Sequence, residues 1–371
     1  MTKKMLMLGL SLLIVAAAVC PSTASEIYVR ISPEMELLSG VLSQTSWIAH
    51  RGPANGGNEY FRALQEFFDP YREHEAVKIA QRLTDRGFTY DAQPAFAAHL
   101  GPLPDLELAY EYSEYLIQRA GSRKNLEDFR LALKTLAEEA RFMDFYAAWE
   151  PYLAEIVAET TAEFEPETAK GWLEQFFGWE AAEFHLILAP AMFPGGGYGV
   201  TIDTPDGGLI AYQITRENGI STDRPEFPTG QSLEQLTVHE LGHSFVNPSI
   251  DAYPKEVNKL RPLYNRVRSE MERQAYGSVG IFLNEQVLRA VEVLAAGELY
   301  GAAVVEEQIA YHENRGFYLT RFVLEQLEVY QSNRDQYPTF REFVPVLLSQ
   351  LADYQAENCS WWEKLRGILP F

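Results

Sequence analysis

Two histidines four residues apart, with a glutamate directly after the first, constrain this chain more than any other feature: His239-Glu240-Leu241-Gly242-His243. Side chains at that spacing share a face only on a helix, so the pair can meet one metal ion only if this segment is helical. On such a helix Glu240 sits beside the metal's open position, where a carboxylate can take a proton from water. The predicted ion is Zn²⁺, one per chain, with His239 and His243 as ligands and Glu240 as general base. The local pattern agrees with a helix. Ser232 and Gln235 have capping-box spacing, Leu233, Leu236, Leu241 and Phe245 form an apolar series, and Pro248 is expected to end the run. Gly242 costs about 1 kcal/mol relative to alanine in a helix, which predicts close approach of another backbone. The structural alternative is an ordinary polar stripe with Glu240 solvated.

A zinc site of this kind needs a third protein ligand. The metzincin pattern would require glycine at 246 and a ligand at 249, where the chain has Val246 and Ser249, and the inverted H-x-x-E-H motif is absent. A glutamate from a later helix remains. Most early downstream acids lie in the charged stretch Lys255 to Arg273 and read as a solvated face. Glu285 is set among Ile281, Phe282, Leu283, Val287 and Leu288, and an acid in such surroundings needs a partner. Arg289 and Glu292 share its face. Glu285 is therefore the expected ligand with Arg289 in support, Glu292 and Glu270 are the alternatives, and a structural Glu285–Arg289 salt bridge is the bland reading.

These residues also carry a resemblance. The runs Thr237 to Pro248, Ala275-Tyr-Gly-Ser278, Asn284-Glu285 with Arg289-Ala290, Arg315-Gly-Phe317, Asn333-Arg334 with Tyr337-Pro-Thr-Phe340, and Phe343-Val-Pro345 resemble an uncharacterised exported bacterial family of gluzincin-type (HExxH) zinc metallopeptidases, a domain-of-unknown-function family. Pro33-Glu-Met-Glu-Leu37 and His74-Glu-Ala-Val77 extend the resemblance over most of the mature chain. It implies a peptidase-like fold with His239, His243 and Glu285 on zinc, and it implies no particular substrate.

Residues 1–25 read as a signal peptide: Lys3 and Lys4, an apolar core from Met5 to Val19, and small residues at Ser22-Thr-Ala24-Ser25. Cleavage there predicts an exported protein, periplasmic or extracellular. Lipidation at Cys20 is the alternative, although Val19 departs from the usual small residue before the modified cysteine. After cleavage Cys359 is the only cysteine left, so no intrachain disulfide is expected. Losing Lys3 and Lys4 shifts the formal charge from -21 to -23, which argues against nucleic acid or an anionic membrane as partner. No other stretch is apolar enough to span a bilayer.

The predicted fold class is α+β and mostly helical. It comprises an N-terminal helical lobe over 26–180 and a zincin-like domain over 181–371, with a small sheet, the motif helix and C-terminal helices. Expected helices are Glu34 to Leu42, Glu59 to Phe68, His74 to Arg86, Asp105 to Arg119, Asn125 to Glu139 and Phe142 to Thr160. Expected strands are Phe184 to Ala189, Tyr198 to Ile202 and Leu209 to Thr215, with Thr204-Pro-Asp-Gly207 as a turn. Pro194-Gly-Gly-Gly197 lacks the ending of a phosphate loop and reads as a loop bordering the cleft. His50, His74, His99 and His185 lack ligand spacing and read as surface or structural residues. Tyr276, Tyr311 and His312 are the candidates for stabilising an oxyanion. The expected activity is hydrolysis of a peptide or protein substrate. The competing classes are an exported non-catalytic zinc-binding protein and a zinc amidase acting on a non-peptide amide.

Overall fold

In the computed structural model, which describes residues 26–53, 56–193 and 196–366, seventeen α-helices surround one four-stranded sheet. The expected signal peptide, with Cys20, and Pro194 and Gly195 lie outside the described residues. The strands are β1 (Glu26–Ile31), β2 (Glu183–Ala189), β3 (Gly197–Asp203) and β4 (Leu209–Arg216), in the order β1-β2-β4-β3. β1, β2 and β4 are parallel, and β3 folds back antiparallel to β4 with Val200 opposite Tyr212. The hairpin turn is the expected one, closed by Gly207 N–H donating to the Thr204 carbonyl at 3.0 Å. Every residue of β4 is buried, as befits a strand covered on both faces. β3 is left at the edge.

β1 was not expected from sequence. Its partner β2 lies far downstream, so no local turn signal marks it. Among the helices, Glu59–Phe68 and Phe142–Thr161 fall where the pattern puts them. The expected helix from Asp105 to Arg119 shrinks to Glu114–Ala120. Leu106 adopts a positive φ of 46° and Leu100 pairs with Leu108, neither compatible with a continuous helix. Ala92–Ala98 and Pro166–Phe177 are additional helices.

Two hydrophobic clusters flank the sheet. Alternation along β4 sends Ile210, Tyr212 and Ile214 into a cluster with the N-terminal helices, and Leu209 and Ala211 into one with the C-terminal helices. The first cluster includes Tyr60, Phe68, Phe96, Phe129 and Phe142; the second includes Phe177, Phe245, Phe282 and Leu288. Within the N-terminal helices, Glu36 is wholly buried and neither carboxyl oxygen has a hydrogen-bond partner. The Tyr60 hydroxyl and the Ala191 backbone are close enough to favour its charged form in part. Desolvation outweighs them and pushes the carboxyl up to about 8.

Among the described residues, no helix is long and apolar enough to cross a membrane.

Candidate metal centre

The motif lies in the middle of the helix Gly230–Asp251, whose N-cap position is Thr229, without a side-chain capping bond. Two local expectations are corrected here. Ser232 sits in the first turn and does not cap the helix, and Pro248 lies inside the helix and does not end it. Proline removes one backbone donor, but Val246 and Ile250 on either side of it are fully buried, and the Ser249 hydroxyl donates to the Phe245 carbonyl at 2.6 Å. Tertiary packing overrides the local stop signal.

The helix Val279–Tyr300 packs antiparallel against the motif helix, so Glu292 meets His239 and Glu285 meets His243 one turn apart. Gly242 lies between these levels, where a Cβ would come within 2.6 Å of Leu288 Cδ1. It therefore makes room for a side chain, correcting the expectation of a backbone. The close backbone approach occurs on the opposite side of the motif. β3 passes so near that a Cβ on Gly199 would collide with the Glu240 carbonyl oxygen, and one on Gly197 would lie 2.5 Å from Glu240 Oε1. Thr201 completes the contact by donating to Ser244 Oγ at 2.8 Å. Gly197 and Gly199 of β3 thus border the glutamate of the motif; Gly197, expected in a loop, begins the strand.

Ligand atoms of His239, Glu240 and His243 lie within 4.8 Å of one another, a group that could hold a metal ion. Both imidazoles are oriented through Nδ1. His239 Nδ1 is 2.6 Å from Glu292 Oε1, and His243 Nδ1 is 3.2 Å from Asn247 Oδ1. A neutral ring that donates from Nδ1 to these acceptors keeps its Nε2 lone pair for a metal ion. Arg289 Nη1 also lies 3.2 Å from His239 Nδ1, and the two donors share the Glu292 carboxylate.

Glu285 divides its oxygens. Oε1 is 3.4 Å from His243 Nε2, and Oε2 accepts from Arg289 Nη2 at 3.1 Å. The ligand-like contact and the salt bridge are therefore both present on one carboxylate. Glu292, the first alternative, serves His239 Nδ1 and approaches His312 Nε2 at 3.2 Å. Glu270, the second alternative, is not brought to the centre and pairs with Arg273 and Gln274.

Burial opposes the charge on all these groups, and pairing decides the outcome. Desolvation raises the Glu285 carboxyl, but Arg289, His243 and His239 hold it below its usual range. Glu292 is likewise desolvated, and Arg289 and His239 hold it well below its usual range. Desolvation and Arg289 lower His239, yet Glu292 and Glu240 lift it above its ordinary value. Arg289 is desolvated too, and the two glutamates hold it firmly protonated.

Of the oxyanion candidates, Tyr276 packs on Phe317 near Arg289, Tyr311 is exposed and accepts from Arg315, and His312 is buried against Glu292. Burial brings His312 down to about 4, so it is neutral at physiological pH. His74, His99 and His185 have local structural partners at Ala76 N, the Ala95 carbonyl and Glu183. Sequence reasoning missed Asn247, although its four-residue spacing from His243 was the available signal. It also missed Arg216, a buried guanidinium that binds the Phe193 and Gly196 carbonyls and stacks on Tyr198, thereby tying those two residues and β3 to β4. No local pattern announces that role.

A cavity of about 500 Å³ opens beside His239, between the N-terminal half of the motif helix, the end of Val279–Tyr300 and the helix Val305–Asn314.

The chain belongs to the DUF4932 family, described as a domain of unknown function, whose model matches residues 29–350. No curated protein and no solved structure matches the chain.

Proposed function

We propose that this chain is an exported zinc metallopeptidase of gluzincin type, with His239, His243 and Glu285 as zinc ligands and Glu240 as general base. The observation that carries this reading is the partnering of the two imidazoles: both Nδ1 atoms are engaged by Glu292 and Asn247, and a buried carboxylate waits 3.4 Å from His243 Nε2. Zinc bonds to nitrogen and oxygen of about 2.0–2.2 Å in a tetrahedron imply ligand atoms roughly 3.3–3.5 Å apart, so that separation suits two ligands of one ion. Two neutral imidazoles and one carboxylate are also the donor set that zinc hydrolases employ.

Bound zinc would polarise a substrate carbonyl and make water acidic enough to ionise near neutral pH. Glu240 takes the proton from the attacking water and delivers it to the leaving amine nitrogen as the carbon–nitrogen bond breaks. Gly197 borders Glu240 Oε1 and limits where that carboxylate can swing. Arg289 holds Glu285 Oε2 so that Oε1 faces the histidines. The outer edge of β3 offers unpaired backbone groups to an extended peptide, which would lie across Glu240 as an added strand.

Glu240→Gln should keep one zinc per chain and lose hydrolysis by about a hundred- to ten-thousandfold, the range that general acid–base catalysis contributes. Metal analysis of the purified protein, run with Glu285→Ala and Glu292→Ala, tests the ligand set. Loss of zinc in Glu285→Ala together with retention at weakened affinity in Glu292→Ala supports it. Normal hydrolysis by Glu240→Gln, or full zinc in Glu285→Ala, sinks it.

A further inference from the structure

Arg216 ends β4 and is buried, yet among the described residues it makes no salt bridge. A buried cation ordinarily sits against a carboxylate, because its charge has otherwise lost water without replacement. Here the guanidinium is directed at one short stretch of chain instead. Its Nε donates to the Gly196 carbonyl at 2.7 Å, its Nη1 donates to the Phe193 carbonyl at 2.5 Å, and its central carbon lies 4.8 Å from the centre of the Tyr198 ring. Gly196 and Tyr198 flank Gly197, and Gly197 is the residue on which a Cβ would lie 2.5 Å from Glu240 Oε1. The carbonyl that Nε holds is bonded directly to the Gly197 nitrogen.

Strand alternation decides how this contact acts. Arg216 continues the series Ile210, Tyr212 and Ile214, which faces the N-terminal helices, whereas Gly197 and Gly199 face the motif helix. Arg216 and Glu240 therefore lie on opposite faces of the sheet, with the start of β3 between them. Burial lowers the guanidinium, and Tyr198 and Glu240 offset part of that, so the cation feels the Glu240 charge across the strand. Arginine suits this place because its fixed fork can hold two carbonyls and stack on a ring at once, which the single ammonium of lysine cannot do. Resting on the peptidase reading, we infer that Arg216 is a positioning residue for the reaction: by gripping both flanks of Gly197 it holds the backbone against which the Glu240 carboxylate is set, and so fixes how that carboxylate meets the attacking water.

A double-mutant cycle tests this, run on a peptide that the wild type cleaves, chosen by mass spectrometry from a randomised peptide mixture. Arg216→Met should lower kcat per bound zinc by roughly tenfold to a hundredfold and leave KM within about twofold, since a misplaced catalytic group is felt in rate. Arg216→Lys, which keeps one carbonyl contact, should fall between Arg216→Met and wild type. In the Glu240→Gln background, Arg216→Met should slow the remaining hydrolysis by under about twofold, because a residue that acts through Glu240 has nothing left to position. General damage to the fold would instead multiply the two losses. Amide hydrogen exchange reads the grip without turnover: Gly197 and Tyr198 should exchange faster in Arg216→Met, with the motif helix unchanged. If Arg216→Met does not fold, Tyr198→Leu releases one flank alone and carries the same cycle. Losses that multiply, or exchange that does not change, overturn the inference and leave the peptidase reading intact. Faster exchange with no hydrolysis by the wild type keeps the grip on β3 and removes the peptidase reading. Unchanged exchange with no hydrolysis removes both.

Discussion

Buried charge is handled in opposite ways on the two sides of the sheet. Around the motif, Glu285, Arg289 and His239 are buried, Glu292 is partly buried, and each is held ionised or oriented by its neighbours. Among the N-terminal helices, Glu36 is just as deeply buried but has no cation beside it, only the Tyr60 hydroxyl and the Ala191 backbone nearby, and it gives up its charge. The same residue type therefore carries charge in one core and none in the other, because desolvation is offset only where antiparallel helices place opposite charges at matching levels. A network of that kind can orient ligands, whereas a neutral lone carboxyl contributes little besides a cost.

The contrast is broken most severely at Arg289. Arg289→Met would leave two carboxylates buried without their shared cation, and metal-free protein should lose about 5 kcal/mol of stability, read as a fall in the urea midpoint. A loss under about 1 kcal/mol would mean that the network is not what holds these charges.

Glu36 gives the complementary experiment. The unfolded chain releases this proton near the ordinary 4.5, while the folded chain keeps it to about 8. Between those values the folded state binds more protons, so stability falls as pH rises and the loss is complete only above the folded value. Glu36→Gln has no such slope. Relative to wild type it should gain about 3 to 4 kcal/mol from pH 4 to pH 8.5, measured as the difference between urea midpoints at each pH. A constant difference across that range would show that Glu36 finds a partner in solution.

The two glycines of β3 sharpen the comparison on the motif side. Gly199→Ala forces backbone against backbone and should cost about 2 kcal/mol in thermal or urea unfolding. Gly197→Ala presses only on the end of the Glu240 side chain. It should cost under about 1 kcal/mol of stability while lowering kcat about tenfold, since misplacing a catalytic group is felt in rate before stability. Equal stability losses in the two variants would contradict the assigned contacts.

Much of the centre was legible because it is local. His239, Glu240 and His243 share a helix face by spacing alone, Glu285 and Arg289 stand out as charges in an apolar run, and three of the four sheet strands and their hairpin carry period and turn signals. Local signals failed where distant packing outweighed them: Pro248 stays inside a helix because its neighbours are buried, and β1 becomes a strand because β2 lies beside it. The spacing of residues on one element follows from helix and strand geometry and can be read from the chain itself. The choice of Glu285 to face His243 while Glu292 faces His239, the meeting of Gly197 with Glu240, and the isolation of Glu36 depend on which elements pack together and in what register. Such contacts join residues tens to hundreds of positions apart, and they exist only once burial of the two hydrophobic clusters has brought those elements together.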